Sequence, residues 1–291
     1  MDFSSGAALL SMCEQNYCTI SQAMLLRETE HMGGSREDVL EKLSASYEIM
    51  KQAVHKSLTE QLISMGGLIG GEAQKLQTRR LRTAPVCGQT TAKAIAYAMG
   101  VLEVNASMGL IVAAPTAGSS GVIPGVFLAV QEEFGFTDEQ MVDALLNTGA
   151  VGYLFTRNAT IAGAEGGCQA EVGTASAMAA SAVTQLMGGS PEQCLSAAAM
   201  AISNLLGLVC DPVAGLVESP CQTRNAIGAS NALISAEISL SGIRNLIPFD
   251  EMVEAMYRVG RSLPFELRET ALGGCAGTPT GCTLCKRILG T

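Results

Sequence analysis

The chain has 291 residues, enough for one large or two modest domains, and 48% of them are hydrophobic, so a sizeable buried core is expected. The formal net charge of −9 repels phosphate backbones and disfavours nucleic acid as a partner. With 7 Phe, 5 Tyr and no Trp, the core should consist of closely packed Ala-rich helices and not of aromatic rings. The N-terminus lacks the basic run of a secretory signal. No stretch reaches about 18 uninterrupted apolar residues, so no membrane span is expected. A cytoplasmic chain follows, in which the 10 cysteines are reduced thiols, metal ligands or catalytic groups.

Charge density divides the chain. Residues 1–85 hold 19 charged side chains, and residues 86–246 hold only 16. A boundary near Thr83-Ala84-Pro85, where proline disfavours a continuing helix, separates a charged N-terminal helical region (1–85) from a core region (86–291). The two read as parts of one continuous unit.

In chain order, Ser35 caps a helix through Val39, Leu40, Leu43 and Tyr47, with Glu37 and Asp38 in its first turn. A second amphipathic stretch covers Ala53 to Ile63. Gly66-Gly67-Leu68-Ile69-Gly70-Gly71 is a glycine loop opening into Glu72-Ala73-Gln74-Lys75-Leu76, equally a turn between helices or a loop facing a site. Arg79, Arg80 and Arg82 read as a solvated helix end. Lys93 is expected at the solvent. Ala170–Met187 and Pro191–Leu208 are long enough for buried helices; between them Gly188-Gly189 stops one helix, Ser190 caps the next and Pro191 occupies its first position. Strand alternation is scarce. The fold class is mainly α, a compact bundle of Ala- and Gly-rich helices with glycine-rich loops forming the site.

Three cysteines sit where glycine or proline breaks a helical run: Cys168 in Gly163-Ala164-Glu165-Gly166-Gly167-Cys168, Cys210 in Gly207-Leu208-Val209-Cys210-Asp211-Pro212, and Cys221 in Glu218-Ser219-Pro220-Cys221. Free backbone N–H groups at helix ends stabilise thiolates, the form that binds metal. Glu165, Glu171, Asp211, Glu218, Arg224, Asn225 and Asn231 lie in the same otherwise apolar sequence. From the residues alone, a metal site and inert core thiols remain equal alternatives, because the separations of 42 and 11 residues fit no zinc-finger or ferredoxin spacing. Thr116-Ala117-Gly118-Ser119-Ser120-Gly121 precedes an apolar run from Pro124, a pattern shared by anion-binding loops and plain capped loops.

These segments resemble the α chain of the iron–sulfur-dependent L-serine dehydratases. The likeness is carried by Glu103-Val104-Asn105-Ala106-Ser107-Met108-Gly109, Ala114 to Gly125, the Cys168 segment, Leu208 to Ala232, Leu267-Arg268-Glu269-Thr270 and Gly277-Thr278-Pro279-Thr280-Gly281. It covers essentially the whole chain. The resemblance implies a lyase that turns L-serine into pyruvate and ammonia without pyridoxal phosphate. It also implies that Cys168, Cys210 and Cys221 hold a 4Fe–4S cluster with one iron left open as a Lewis acid. The substrate carboxylate would then lie on Ser119, Ser120 and Gly121, with Arg224 and Asn225 beside it.

No general base is evident. His31 and His55, the only histidines, fall in the charged N-terminal region. The resemblance implies a partner β subunit that helps complete the site, within a larger oligomer; single-chain members of that family carry that part as an N-terminal domain. A Schiff-base lysine is missing from the core region, where Lys93 is the only lysine before Cys285. Cys275, Cys282 and Cys285 form a second group, and Cys282 or Cys285 is a candidate fourth ligand. Cys13, Cys18, Cys87 and Cys194 have no site-like surroundings and read as structural. A related cluster-dependent L-cysteine desulfidase and a non-catalytic cluster-binding sensor are the alternative functions.

Overall fold

Small side chains decide how this molecule packs. The computed structural model describes residues 2–290 and builds them from α1 (Gly6–Asn16), α2 (Ile20–Leu26), α3 (Arg36–Thr59), α4 (Glu72–Arg82), α5 (Gln89–Ala106), α6 (Val122–Phe134), α7 (Asp138–Asn158), α8 (Gly163–Gly166), α9 (Thr174–Leu186), α10 (Pro191–Ser203), α11 (Cys221–Leu240), α12 (Phe249–Ser262) and α13 (Pro279–Leu289). Among the described residues there is no strand, only an isolated bridge between Cys210 and Arg268. The expected mainly α fold is borne out.

The centre is α9, packed against α6, α7, α10 and α11. Every residue from Thr174 to Thr184 is buried, and all but Met178 and Val183 are Ala, Ser or Thr. A helix with so little side-chain bulk lets four neighbours approach closely. Its hydroxyls would be costly there unless bonded. Ser176 Oγ donates to Gly228 O (2.8 Å), Ser181 Oγ to Asn147 Oδ1 (2.7 Å) and Thr184 Oγ1 to Ala180 O (2.8 Å). Asn231 Nδ2 donates to Ser176 Oγ (2.9 Å) and to Ala201 O (2.8 Å), so a single amide ties α9, α10 and α11 together.

The helix boundaries follow local chemistry. Gly188 takes a φ of 86°, which a Cβ would strain, and stops the chain after α9. Ser190 and Gln193 then form a reciprocal capping box with Pro191 at the first turn of α10. That helix ends at Ser203, earlier than Leu208, because Asn204 onward turns toward the site. Ser35 caps α3 by accepting from Asp38 N, and the helix runs unbroken to Thr59. The two stretches expected around Tyr47 and Ala53 are thus one helix, since no breaker lies between them. Ile63 falls outside it and is exposed.

One hydrophobic cluster takes in Phe3, Leu9, Tyr47 and Val54 from the charged N-terminal region together with Val101, Phe127, Leu154 and Met178. The Thr83-Ala84-Pro85 break lies in the connection between α4 and α5. Arg79, Arg80 and Arg82 occupy the last turn of α4, favourable for cations at a helix C-terminus. Lys93 corrects an expectation: its side chain is 16% exposed and pairs with Glu132 (3.2 Å) and Glu133 (3.7 Å) across α5 and α6. No described helix is long and apolar enough to cross a membrane.

The contact between α5 and α6 is set by glycine. A Cβ on Gly125 would stand 2.8 Å from Ala94 O, Ala98 N and Ala98 Cβ, and backbone atoms cannot yield as a side chain would. Gly125→Ala gains helix propensity of about 1 kcal/mol. It incurs overpacking of about 1–3 kcal/mol. A net loss of stability is expected, read as a lower denaturant midpoint at unchanged slope.

Candidate active site

Five helix ends meet at one end of the bundle: the C-terminus of α5, the segment 116–121 leading into α6, the turn carrying Cys168 ahead of α9, the exit from α10 carrying Cys210, and the N-terminus of α11 at Cys221. The chain joins them with short polar bonds. Gln169 N donates to Leu208 O (2.9 Å) and its side-chain Oε1 accepts from Gly207 N (2.8 Å), fastening the Cys168 turn to the Cys210 segment. Arg224 NH1 reaches Val209 O and Asp211 Oδ1, each at 2.7 Å, fastening Cys210 to α11. Asn225 Nδ2 donates to Gly118 O (2.8 Å) and Cys221 O (2.9 Å), while its Oδ1 accepts from Gly121 N (3.0 Å). Asn225 therefore clamps the 116–121 loop onto α11.

Cys168, Cys210 and Cys221 are all buried and free. They feel one another: Cys168 and Cys221 both raise the thiol pKa of Cys210, and Cys221 that of Cys168. Burial first and then Glu171 raise Cys168 to about 12, with Arg224 opposing both. The same three influences, in the same order, bring Cys221 to about 12. Cys210 rises as well, from burial first and then from its neighbours Cys168, Glu171 and Glu269. These influences favour the thiol form, and positive charge brought close favours the thiolate.

Glu171 stands among them. It belongs to a π-helical turn, Gln169–Gly173, that runs straight into α9. Burial raises its pKa, although donation from Thr116 Oγ1 (2.7 Å to Oε1) opposes the shift. Cys210 Sγ lies 3.9 Å from Oε2. Two glycines keep the space around this carboxylate open: a Cβ on Gly118 would lie 3.0 Å from Glu171 Oε1, and one on Gly163 would lie 3.0 Å from Cys210 Sγ. Among the described residues no three Cys, His, Asp or Glu side chains close around a single metal ion. A cubane cluster makes a different demand, because each thiolate binds a separate iron.

The residues expected at a substrate carboxylate are brought together here, but most spend their polar atoms on internal partners. Ser119 and Ser120 are fully buried. The Ser119 hydroxyl faces Thr116, and Ser120 Oγ donates to Ala117 O at 2.8 Å. Asn225 is likewise fully buried with all three bonds internal. Arg224 is the cation that Cys168 and Cys221 both sense.

The C-terminal segment also joins the site. Cys210 N donates to Leu267 O (2.9 Å) and Glu269 N to Cys210 O (2.6 Å), with Glu269 in the left-handed region at φ 64°. Cys275 N donates to Asp211 Oδ2 at 2.6 Å. Cys282 is exposed and Cys285 half-buried on α13; Cys282 Sγ makes its contact with Ala276 O. Cys275 is thus the tail cysteine tied to the Cys210 segment, which its spacing from the other cysteines did not signal. Glu269 was legible only as part of a matching motif. His31 and His55 are exposed on the N-terminal helices.

Residues 15–276 match the serine dehydratase alpha chain family. The chain belongs to this family. It is 47% identical over 282 residues to the probable L-serine dehydratase, alpha chain, of Bacillus subtilis, covering 97% of this chain and 94% of that protein. To the L-serine dehydratase, alpha chain, of Peptoniphilus asaccharolyticus it is 44% identical over 273 residues, 94% of each. The L-serine dehydratase of Streptomyces coelicolor is 37% identical over 280 residues, which span 94% of this chain but 60% of that longer protein. The family resemblance read from the motifs is borne out.

Two carboxylates hold the glycine loop and the start of α4 against the cysteine segment and α5. Glu218, 2% exposed, accepts from Ser64 Oγ (2.6 Å), Gly66 N (2.6 Å) and Leu68 N (3.0 Å). Glu218→Ala leaves the buried Ser64 hydroxyl and two partly buried N–H groups unpaired and should destabilise the protein by about 1–3 kcal/mol, measured by denaturant unfolding. Glu103 Oε1 accepts from Ala73 N (3.0 Å) and Gln222 Nε2 (2.9 Å), whereas Oε2 is buried without a partner. Burial raises its pKa above the ordinary 4.5, Ala73 and Gly71 N–H groups oppose, and Glu72 adds to the rise. Its contribution to stability is therefore full below the unfolded-state value and lost as pH rises through the higher folded-state value. Glu103→Gln should remove that loss, so unfolding at about pH 8 should show the variant at least as stable as the parent, with a flatter pH profile.

Proposed function

We propose that this chain is the α subunit of an iron–sulfur-dependent L-serine dehydratase, forming pyruvate and ammonia. The reading is supported by Cys168, Cys210 and Cys221, all buried and free, on segments that hydrogen bonds fasten to one another, with Arg224 and Glu171 in the same segments. Family membership points to the same reaction. The donor set fits a 4Fe–4S cluster: three sulfurs, no disulfide, and glycines at 118 and 163 where a side chain would crowd Glu171 and Cys210. When bound, such a cluster supplies an open, Lewis-acidic iron that stabilises a departing hydroxide.

The residues of the chain do the rest. Arg224 sets positive charge beside the thiolates and offers it to the substrate carboxylate, with the Asp211 pairing fixing its direction. Asn225 and the Ser119–Ser120 turn hold the 116–121 backbone rigid at the start of α6, where the helix dipole favours an anion. Ser119, Ser120 and Gly121 thus act through the shape of their loop. Glu171 keeps a carboxyl group within the site, its Oε1 accepting from the Thr116 hydroxyl. The base that takes the Cα proton comes in this reading from a partner β subunit, consistent with the alpha-chain names of the relatives and with the longer single-chain one.

Anaerobic purification followed by iron and acid-labile sulfide analysis, then a pyruvate assay with and without the partner, tests the proposal. Cys168→Ser, Cys210→Ser and Cys221→Ser should each lose iron and lower the rate on the order of 10³-fold, the equivalent of several kcal/mol of Lewis-acid stabilisation. Parent protein that forms pyruvate at full rate while free of iron would overturn it. L-cysteine as a comparison substrate separates dehydration from desulfidation, and full activity of the α chain alone would remove the partner from the mechanism.

A further inference from the structure

Two cysteines outside the site are placed together by the way α1 ends. Tyr17 takes the left-handed conformation (φ 50°, ψ 45°) and terminates the helix. Its N–H donates to Glu14 O (3.4 Å), and Cys18 N donates to Cys13 O (3.0 Å). This pair of bonds is a Schellman motif, whose geometry brings the side chain after the left-handed residue onto the one at the start of the last turn. In most helices that contact is between two apolar groups. Here both positions are cysteine, and each thiol influences the ionisation of the other.

The surroundings divide the two thiols into an outer and an inner one. Cys18 is half-buried beside the fully exposed Tyr17 and immediately precedes Thr19, the cap of α2. Cys13 is 3% exposed and packs inward, with the buried Cys194 of α10 within electrostatic range behind it. No other described element needs either sulfur for its hydrogen bonds.

We propose that Cys13 and Cys18 are a redox-active pair that closes into a disulfide when the chain meets a low-molecular-weight disulfide. Cys18 as thiolate attacks one sulfur of the small disulfide, forming a mixed disulfide and releasing one small thiolate. Cys13, after giving up its proton, attacks the Cys18 sulfur, forming the Cys13–Cys18 bond and releasing the second small thiol. Two protein thiols are oxidised and one small disulfide is reduced to two thiols. Closure staples the end of α1 to the start of α2 and is reversed by excess thiol.

The assay is direct because no Lys or Arg lies between Met1 and Arg27, so trypsin leaves both cysteines on one peptide. The purified chain is incubated without oxygen with oxidised glutathione, its remaining thiols are alkylated, and the digest is weighed. The expected peptide is lighter than the reduced form by two hydrogens, carries no alkyl group at Cys13 or Cys18, and regains both on treatment with dithiothreitol. Cys13→Ser should stop at a glutathione adduct on Cys18, and Cys18→Ser should leave Cys13 reduced. A wild-type peptide fully alkylated at both positions, or one that accumulates a stable glutathione adduct on Cys18, overturns the proposal.

Discussion

Everything at the candidate site turns on the cost of gathering three sulfurs and a carboxylate in a place with little water. Burial is the largest cause raising Cys168 and Cys221 to about 12, and the neighbouring Glu171 contributes to the rise. Burial thus favours the thiol over the thiolate form of these sulfurs. That state tolerates close packing, because a protonated sulfur behaves as a small apolar group. It is also poised for a cation, since charge brought between the sulfurs recovers what desolvation withholds. Arg224 supplies a share of that charge permanently, and its pairing with Asp211 keeps it from relaxing toward solvent.

Helix direction supplies a further share. The chain enters α6 and α11 at the site, and α9 begins there through the π turn. N-terminal helix ends carry unpaired N–H groups and a partial positive charge. Directing several such ends at one point requires that helices alternate in sense around a common axis and pack tightly. The Ala, Ser and Thr of α9 make this possible. A central helix built from Leu or Phe would hold its neighbours farther apart and spread their termini beyond the reach of a single amide such as Asn225 or Asn231. Core composition and site geometry are thus consequences of one choice of small residues.

This connection explains what could be read without coordinates. The helical class, the stop and restart at Gly188-Gly189-Ser190-Pro191 and the cap at Ser35 follow from local chemistry, and local chemistry is legible residue by residue. The polar residues crowding the cysteine segments were legible too, because charge in apolar sequence demands a partner. What stayed hidden depends on contacts between distant segments. Nothing local marks a π turn at Gln169–Gly173, so the central position of Glu171 could not be foreseen. Cys275 reaches the site only because Asp211 accepts from its backbone, a bond across 64 residues of sequence. The covering of Lys93 by Glu132 and Glu133 belongs to the same class. The Cys13–Cys18 contact is the exception: it is local, yet visible only once the left-handed Tyr17 is known.

Polar side chains lining a binding site can meet the ligand or hold the atoms that do. Here Ser119, Ser120 and Asn225 are fully buried and bonded inward. Were they to turn toward a substrate, each would abandon a buried partner, at a cost of about 1–3 kcal/mol for every donor or acceptor left unpaired. Their arrangement favours the other role, fixing backbone and guanidinium before any ligand arrives. A site whose supports are already satisfied does not reorganise when charge develops in a reaction, and that lack of reorganisation is the main electrostatic advantage a folded chain has over water. Gly118, between the Asn225 clamp on its carbonyl and the Glu171 carboxylate above its missing side chain, is where the two demands meet: the loop must be held firmly and must also stay thin.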